Sequence, residues 1–139
     1  MIKDLANCLK ENVDVWCGEA VDPLFLKDCK EYLKIEGKCD LPADYVTLLR
    51  YVNGAFSDDV YLFGVQPENW PGLDDVVEQN EKYNSEFSDN IIFLGTNDFD
   101  WLVYDAQTQN FQIRSRIQGE IVRIFPDFES AIRLWFALD

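Results

Sequence analysis

The chain has 139 residues, and its 26 Asp and Glu against 12 Lys and Arg give a formal charge of −14. That balance argues against a phosphate backbone or an anionic membrane as partner, since both require clustered Lys and Arg. With 47% hydrophobic and 14% aromatic residues, the sequence is too apolar for a disordered acidic tail, so the charge belongs on a folded body.

The length suits one domain, residues 1–139, long enough to bury a core without staples. No stretch reaches the ~20 apolar residues of a membrane span. The N-terminal residues up to Trp16 lack the continuous apolar run of a secretory signal, so the expected compartment is the cytoplasm. Cys8, Cys17, Cys29 and Cys39 all lie near the N-terminus at intervals unlike zinc-ligand spacing, and there is no histidine. Reduced thiols used as small hydrophobes are the expectation.

Ile2, Leu5, Ala6, Leu9 and Val13 follow helical spacing. Asp22 and Pro23 then supply a cap and a first-turn proline for a second helix. Phe25, Cys29, Tyr32 and Leu33 form its inner stripe, and Gly37 is its stop. A third helix starts at Pro42, turns Tyr45, Leu48, Leu49 and Val52 inward, and ends at Asn53-Gly54. Val60–Val65 is β-favouring, and residues 74–83 suit a helix with a thin apolar stripe of Val76, Val77 and Tyr83. Ile91–Leu94, Trp101–Tyr104, Phe111–Ile117 and Ile121–Phe125 read as strands, joined by a loop at 105–110 and a tight turn at Gln118-Gly119. Asp127 caps a last helix whose Phe128, Ala131, Ile132, Trp135 and Phe136 repeat every three or four residues. The expected class is α+β: a central, mostly antiparallel sheet of about five or six strands, with N-terminal helices and a C-terminal helix packed on it.

The charge is unevenly placed. Residues 51–110 hold twelve acids and one base, Lys82, while residues 1–50 hold ten acids and seven bases and residues 111–139 hold four of each. A like-charged block costs self-repulsion in a compact domain, and solubility is its simplest explanation. The sharper one is a face built for a basic partner. Aromatic residues among the acids strengthen it: Phe56, Trp70 within Pro67–Gly72, and Phe99 between Asp98 and Asp100.

Catalysis is not where the residues point. Without histidine the usual Ser–His–Asp and Cys–His arrangements are closed, and most zinc hydrolases with them. Carboxylate pairs such as Asp58/Asp59 and Asp98/Asp100 arise by chance at this acid content. Asn97–Asp100 lacks the downstream Gly and Glu of an EF-hand. No cofactor and no metal is expected.

From Leu41 onward the sequence resembles the SUKH superfamily, which includes the Smi/Knr-type cell-wall regulators of fungi and many bacterial immunity proteins. Leu41-Pro42-Ala43-Asp44-Tyr45, Leu48-Leu49 and Asn53-Gly54 look like its first conserved helix, and Tyr61-Leu62-Phe63-Gly64 like the strand that follows. Ile92–Gly95 and Trp101–Asp105 resemble its central strands, and Phe128–Ile132 its closing helix. The order holds over about 100 residues, a span typical of one domain. The turn at 95–100 departs from the family's glycine-rich pattern and makes the local surface acidic and aromatic, and the first 40 residues match less clearly.

The resemblance implies a non-enzymatic cytoplasmic immunity protein whose partner is a toxin domain with a basic surface, such as a nuclease, with no nucleic acid or membrane bound directly. The contact residues expected for it are Asp58, Asp59, Glu68, Trp70, Asp74, Asp75, Asp98, Phe99 and Asp100. The alternative is a regulatory scaffold of the cell-wall-regulator kind, whose members carry long additional segments that this sequence lacks. A small carboxylate enzyme or sugar-binding domain ranks below both.

Overall fold

The computed structural model describes residues 1–67, 73–83 and 89–138. In chain order the elements are α1 (Ile2–Glu11), β1 (Trp16–Cys17), α2 (Pro23–Ile35), α3 (Ala43–Leu49), β2 (Ala55–Ser57), β3 (Val60–Leu62), α4 (Val76–Tyr83), β4 (Ile91–Thr96), β5 (Asp100–Asp105), β6 (Asn110–Ser115), β7 (Ile121–Phe125) and α5 (Phe128–Trp135). The seven strands form one sheet in the order β1 to β7, each antiparallel to its neighbour. The fold is α+β, with helices at both ends of the chain. Seven strands replace the expected five or six because β1 and β2 are too short to show a period of their own.

Strand register sorts the residues into two adjacent rows that cross the whole sheet. One runs Cys17, Ala55, Leu62, Gly95, Leu102, Ile113, Arg123; the next runs Trp16, Phe56, Tyr61, Thr96, Trp101, Arg114, Ile121. Side chains of successive strand residues point to opposite faces, so the rows lie on opposite sides. The first lies under helices. On that side Phe128 of α5 meets Phe111 and Tyr45 at centroid distances of 5.3 and 6.1 Å, and Leu5, Leu9, Leu48 and Leu49 are fully buried in the same core. On the opposite face α4 reaches β5, where Tyr83 lies 5.3 Å from Trp101, which in turn stacks on Phe93 at 4.3 Å.

The helices begin and end where their end residues dictate. The Asp22 carboxylate accepts from Leu24 N with Pro23 in the first turn, and Asp127 accepts from Ser130 N. Gly37, at φ +71°, closes α2 with Lys38 N donating to Leu33 O and Gly37 N to Lys34 O, which satisfies two carbonyls left open by the last turn. Val13, placed on the first helix's inner stripe by its spacing, lies beyond α1 and is exposed. Phe25 likewise stays partly exposed, and Leu26 takes its place on the buried side of α2.

Asn53-Gly54 does more than end a helix. α3 stops at Leu49, and Asn53 lies in the core. Its Nδ2 donates to Val65 O (3.0 Å) and its Oδ1 accepts from Val65 N (2.7 Å), so one side-chain amide pairs with a residue as a strand would. The approach is close enough that a Cβ at Gly64 or Gly18 would overlap the Asn53 backbone. Asn80 of α4 repeats the device, with Nδ2 donating to Phe93 O (2.8 Å) and Oδ1 accepting from Phe93 N (2.7 Å). β3 pairs only with the far half of β4, at Gly95 and Thr96, so Asn80 serves the half-edge that β3 leaves uncovered.

Candidate functional site

Two hairpins bring four of the expected acids to one end of the sheet. Asp58 and Asp59 form the turn between β2 and β3, with Asp58 at φ +53°, a conformation Asp tolerates better than most side chains. Asp98 and Phe99 belong to the turn between β4 and β5, and Asp100 opens β5. Asn97 shapes that turn without glycine, because its Oδ1 accepts from both Phe99 N (2.9 Å) and Asp100 N (2.8 Å). Asp59 and Asp98, 39 positions apart in the chain, meet here. A hydrogen bond to Asp59, and then the charge of Asp59, hold the Asp98 carboxyl above its ordinary range, while the Arg116 guanidinium pulls the other way. The Asp98 side chain is exposed, so these like charges face solvent rather than the core.

Arg116 comes from the β6–β7 turn at the same end. Its backbone N donates to Phe99 O (3.0 Å), its Nη1 to Asn97 O (2.9 Å), and its guanidinium lies 4.9 Å above the Trp101 ring. Phe99 is 74% exposed and the neighbouring Ile117 is 88% exposed. The end therefore presents acids around exposed apolar side chains.

Past Trp101, which Tyr83 and Arg116 cover, the same row opens on the sheet face at β1 to β3. Trp16 stacks on Phe56 at 6.4 Å, and Phe56 on Tyr61 at 6.2 Å, with interplanar angles of 12° and 24°. Trp16 is 60% exposed, and Phe56 and Tyr61 are half-buried. Trp16, Tyr61, Arg116 and Ile117 were not among the residues expected to make contact. Their signal is absent from local sequence, because the stripe exists only once β1 and β2 pair.

The other expected residues part company. Asp75 caps α4: its carboxylate accepts from Glu78 N (3.0 Å) and Gln66 N (2.7 Å), and its backbone bridges Gly64. Asp74 precedes it, away from the hairpin turns and exposed. Glu68 and Trp70 lie outside the described residues. Elsewhere in the acidic block, Asp105 pairs with Arg114 (3.6 Å) and Asp89 with Lys38 (2.9 Å), both at the opposite end of β4 and β5 from the turn that carries Asp98. The block is thus divided among a cap, two ion pairs and the acidic end.

A groove between α2, α4 and β4 is lined by Leu33, Val77, Ile91 and Ile92, with Tyr32, Glu36 and Glu81 at its rim. The Tyr32 hydroxyl donates to Glu81, with the Glu36 carboxylate 3.3 Å away as a second acceptor, and the bond to Glu81 chiefly pushes its pKa up to about 12. Among the described residues no group of three or more His, Cys, Asp or Glu is placed to hold a metal ion. No helix among them is long and apolar enough to cross a membrane. No family model matches this chain, and no curated protein matches it.

Proposed function

We propose that this protein is a SUKH-type, non-catalytic binding protein that acts in the cytoplasm as an immunity protein, neutralising a toxin domain with a basic surface. The observation that carries the reading is the convergence of Asp58, Asp59, Asp98 and Asp100 at one end of the sheet, beside Phe99 and the Trp16–Phe56–Tyr61 stripe. Aromatic anchors with charged surroundings are the usual make-up of a strong contact patch, the rings supplying area and the acids orientation. A nuclease toxin fits because its substrate groove must be positive. The mechanism is blockade, with the acidic end seated in or beside that groove. Long-range attraction speeds capture, which suits an antidote.

The test is association kinetics with a toxin domain, sought first in the product of a neighbouring gene. Association is expected to slow steeply as salt rises from about 50 to about 500 mM, where the screening length falls several-fold. Reversing Asp58, Asp59, Asp98 and Asp100 to Lys together is expected to slow it far more than reversing four acids within residues 1–40. An on-rate indifferent to salt, or equal effects of the two quadruple variants, sinks the proposed face. Co-expression that fails to rescue growth from that toxin sinks the immunity role itself.

A further inference from the structure

The sheet has two edges, and they are unlike. β1 is two residues long and offers no template for pairing, whereas β7 is five residues long and pairs only with β6. Three of its residues are exposed apolar side chains: Val122 at 61%, Ile124 at 54% and Ile121 at 48%. Edge strands in soluble proteins are usually blunted by charge, proline, shortness or a bulge; β7 has one charged residue, Arg123, and an irregular register against β6 between Ile121 and Arg123, while Arg123, Ile124 and Phe125 pair regularly with β6.

We propose that β7 pairs antiparallel with β7 of a second copy, giving a continuous sheet across a two-fold axis normal to it. Charge selects this occupant. Each copy carries −14, so two copies repel wherever their acidic block takes part in the contact. Residues 111–139 hold four acids and four bases and are neutral. A basic partner is drawn to the acids instead, and gains nothing electrostatically at this edge. Geometry agrees with charge: a two-fold normal to the sheet reverses strand direction, so the two acidic ends lie at opposite ends of the dimer, as far apart as the contact permits. It also keeps the two aromatic stripes on one face, where each stripe's row reaches the shared seam through Ile121.

The experiment is sedimentation of the full chain from micromolar to submillimolar concentration at low and high salt. The mass is expected to rise from 16.2 kDa towards twice that value. Self-association is expected to tighten as salt rises, because salt screens the repulsion of like copies. Val122→Lys is expected to weaken it about tenfold or more by setting like charges across the two-fold. The change lowers the net negative charge, so general repulsion cannot account for a loss. Val13→Lys, the same charge change on exposed surface beyond α1, is expected to leave the dimer intact, and circular dichroism checks that both variants fold. A monomer at every concentration and salt, equal effects of the two substitutions, or a mass that climbs past two copies would each overturn the proposal. So would β7 amides that gain hydrogen-exchange protection only when another protein is added, which would assign the edge to that protein.

Discussion

Replacing Asn53 tests whether a side-chain amide holds the fold's centre. Its two hydrogen bonds go to both polar groups of Val65, a residue fully shut off from water. Asn53→Ala removes both partners at once and orphans one buried N–H and one buried C=O. Each such group costs about 1–3 kcal/mol, which sets the loss at about 3 kcal/mol once some relaxation is allowed. For a chain of this size that corresponds to a melting temperature lower by about 10 °C. Asn53→Asp sharpens the test. Its carboxylate keeps the acceptor for Val65 N but turns negative charge on Val65 O, so burial and that carbonyl raise its folded pKa above the unfolded one. A raised folded pKa means that stability is present at low pH and lost as pH rises through the folded value. The aspartate variant is therefore expected to approach the parent in acid, where the protonated acid donates as the amide did, and to fall below the alanine variant at neutral pH. Urea and thermal melts at several pH values measure both. An alanine loss under about 1 kcal/mol, within the range of ordinary surface changes, would refute the reasoning, as would an aspartate variant with no pH dependence of its own.

Other expectations are as direct. Asp98 holds its proton more tightly in the folded state because Asp59 hydrogen-bonds to it, so its contribution to stability is complete below 3.8 and is lost as pH rises through the folded value. Asp98→Asn keeps a donor for Asp59 without the like charge; it is expected to melt above the parent at pH 7 while associating more slowly with the basic partner, and a lower melting point would contradict the contact. Burial chiefly pushes Cys29 up to about 12 and Cys17 up to about 11. Both thiols are expected to resist alkylation at mildly alkaline pH until the chain unfolds, which peptide mass mapping reads. Because unfolded thiols ionise near 9.0, stability is expected to decline between that pH and these raised values; rapid alkylation of Cys29 in the native state would show that its burial is misjudged.

The helices were legible because their ends are written in residue types: the Asp22 carboxylate, Pro23 and the left-handed Gly37 act within a few positions of one another. β4 to β7 were legible because each is a run of five or six residues rich in β-branched and aromatic side chains. β1 and β2 were not. Two or three residues carry no period, and Trp16 and Phe56 become strand residues only by pairing across a gap that includes α2 and α3. Asn53-Gly54 reads in sequence as helix punctuation, while the contact that makes Asn53 a core residue lies twelve positions onward at Val65. The acidic block misled in the opposite way. Counting charge treats every carboxylate alike, yet Asp75 spends its oxygens on backbone N–H groups and Asp105 faces Arg114. What remained for a surface was set by hairpin geometry, which alone places Asp59 against Asp98.

Gly95 lies in the row beneath the helices, and there the Trp135 Nε1 reaches past it to donate to Tyr61 O (3.1 Å), in a space that a Cβ at position 95 would overlap. That close approach ties the seat of α5 to the register of β3. A slip of β3 by one position would turn Tyr61 and Phe56 towards the helices and Leu62 and Ala55 towards water. The gap over Gly95 has no room for the ring of Tyr61 and would leave the Trp135 indole without its acceptor. A hairpin paired in that slipped register is thus incompatible with the native seat of α5.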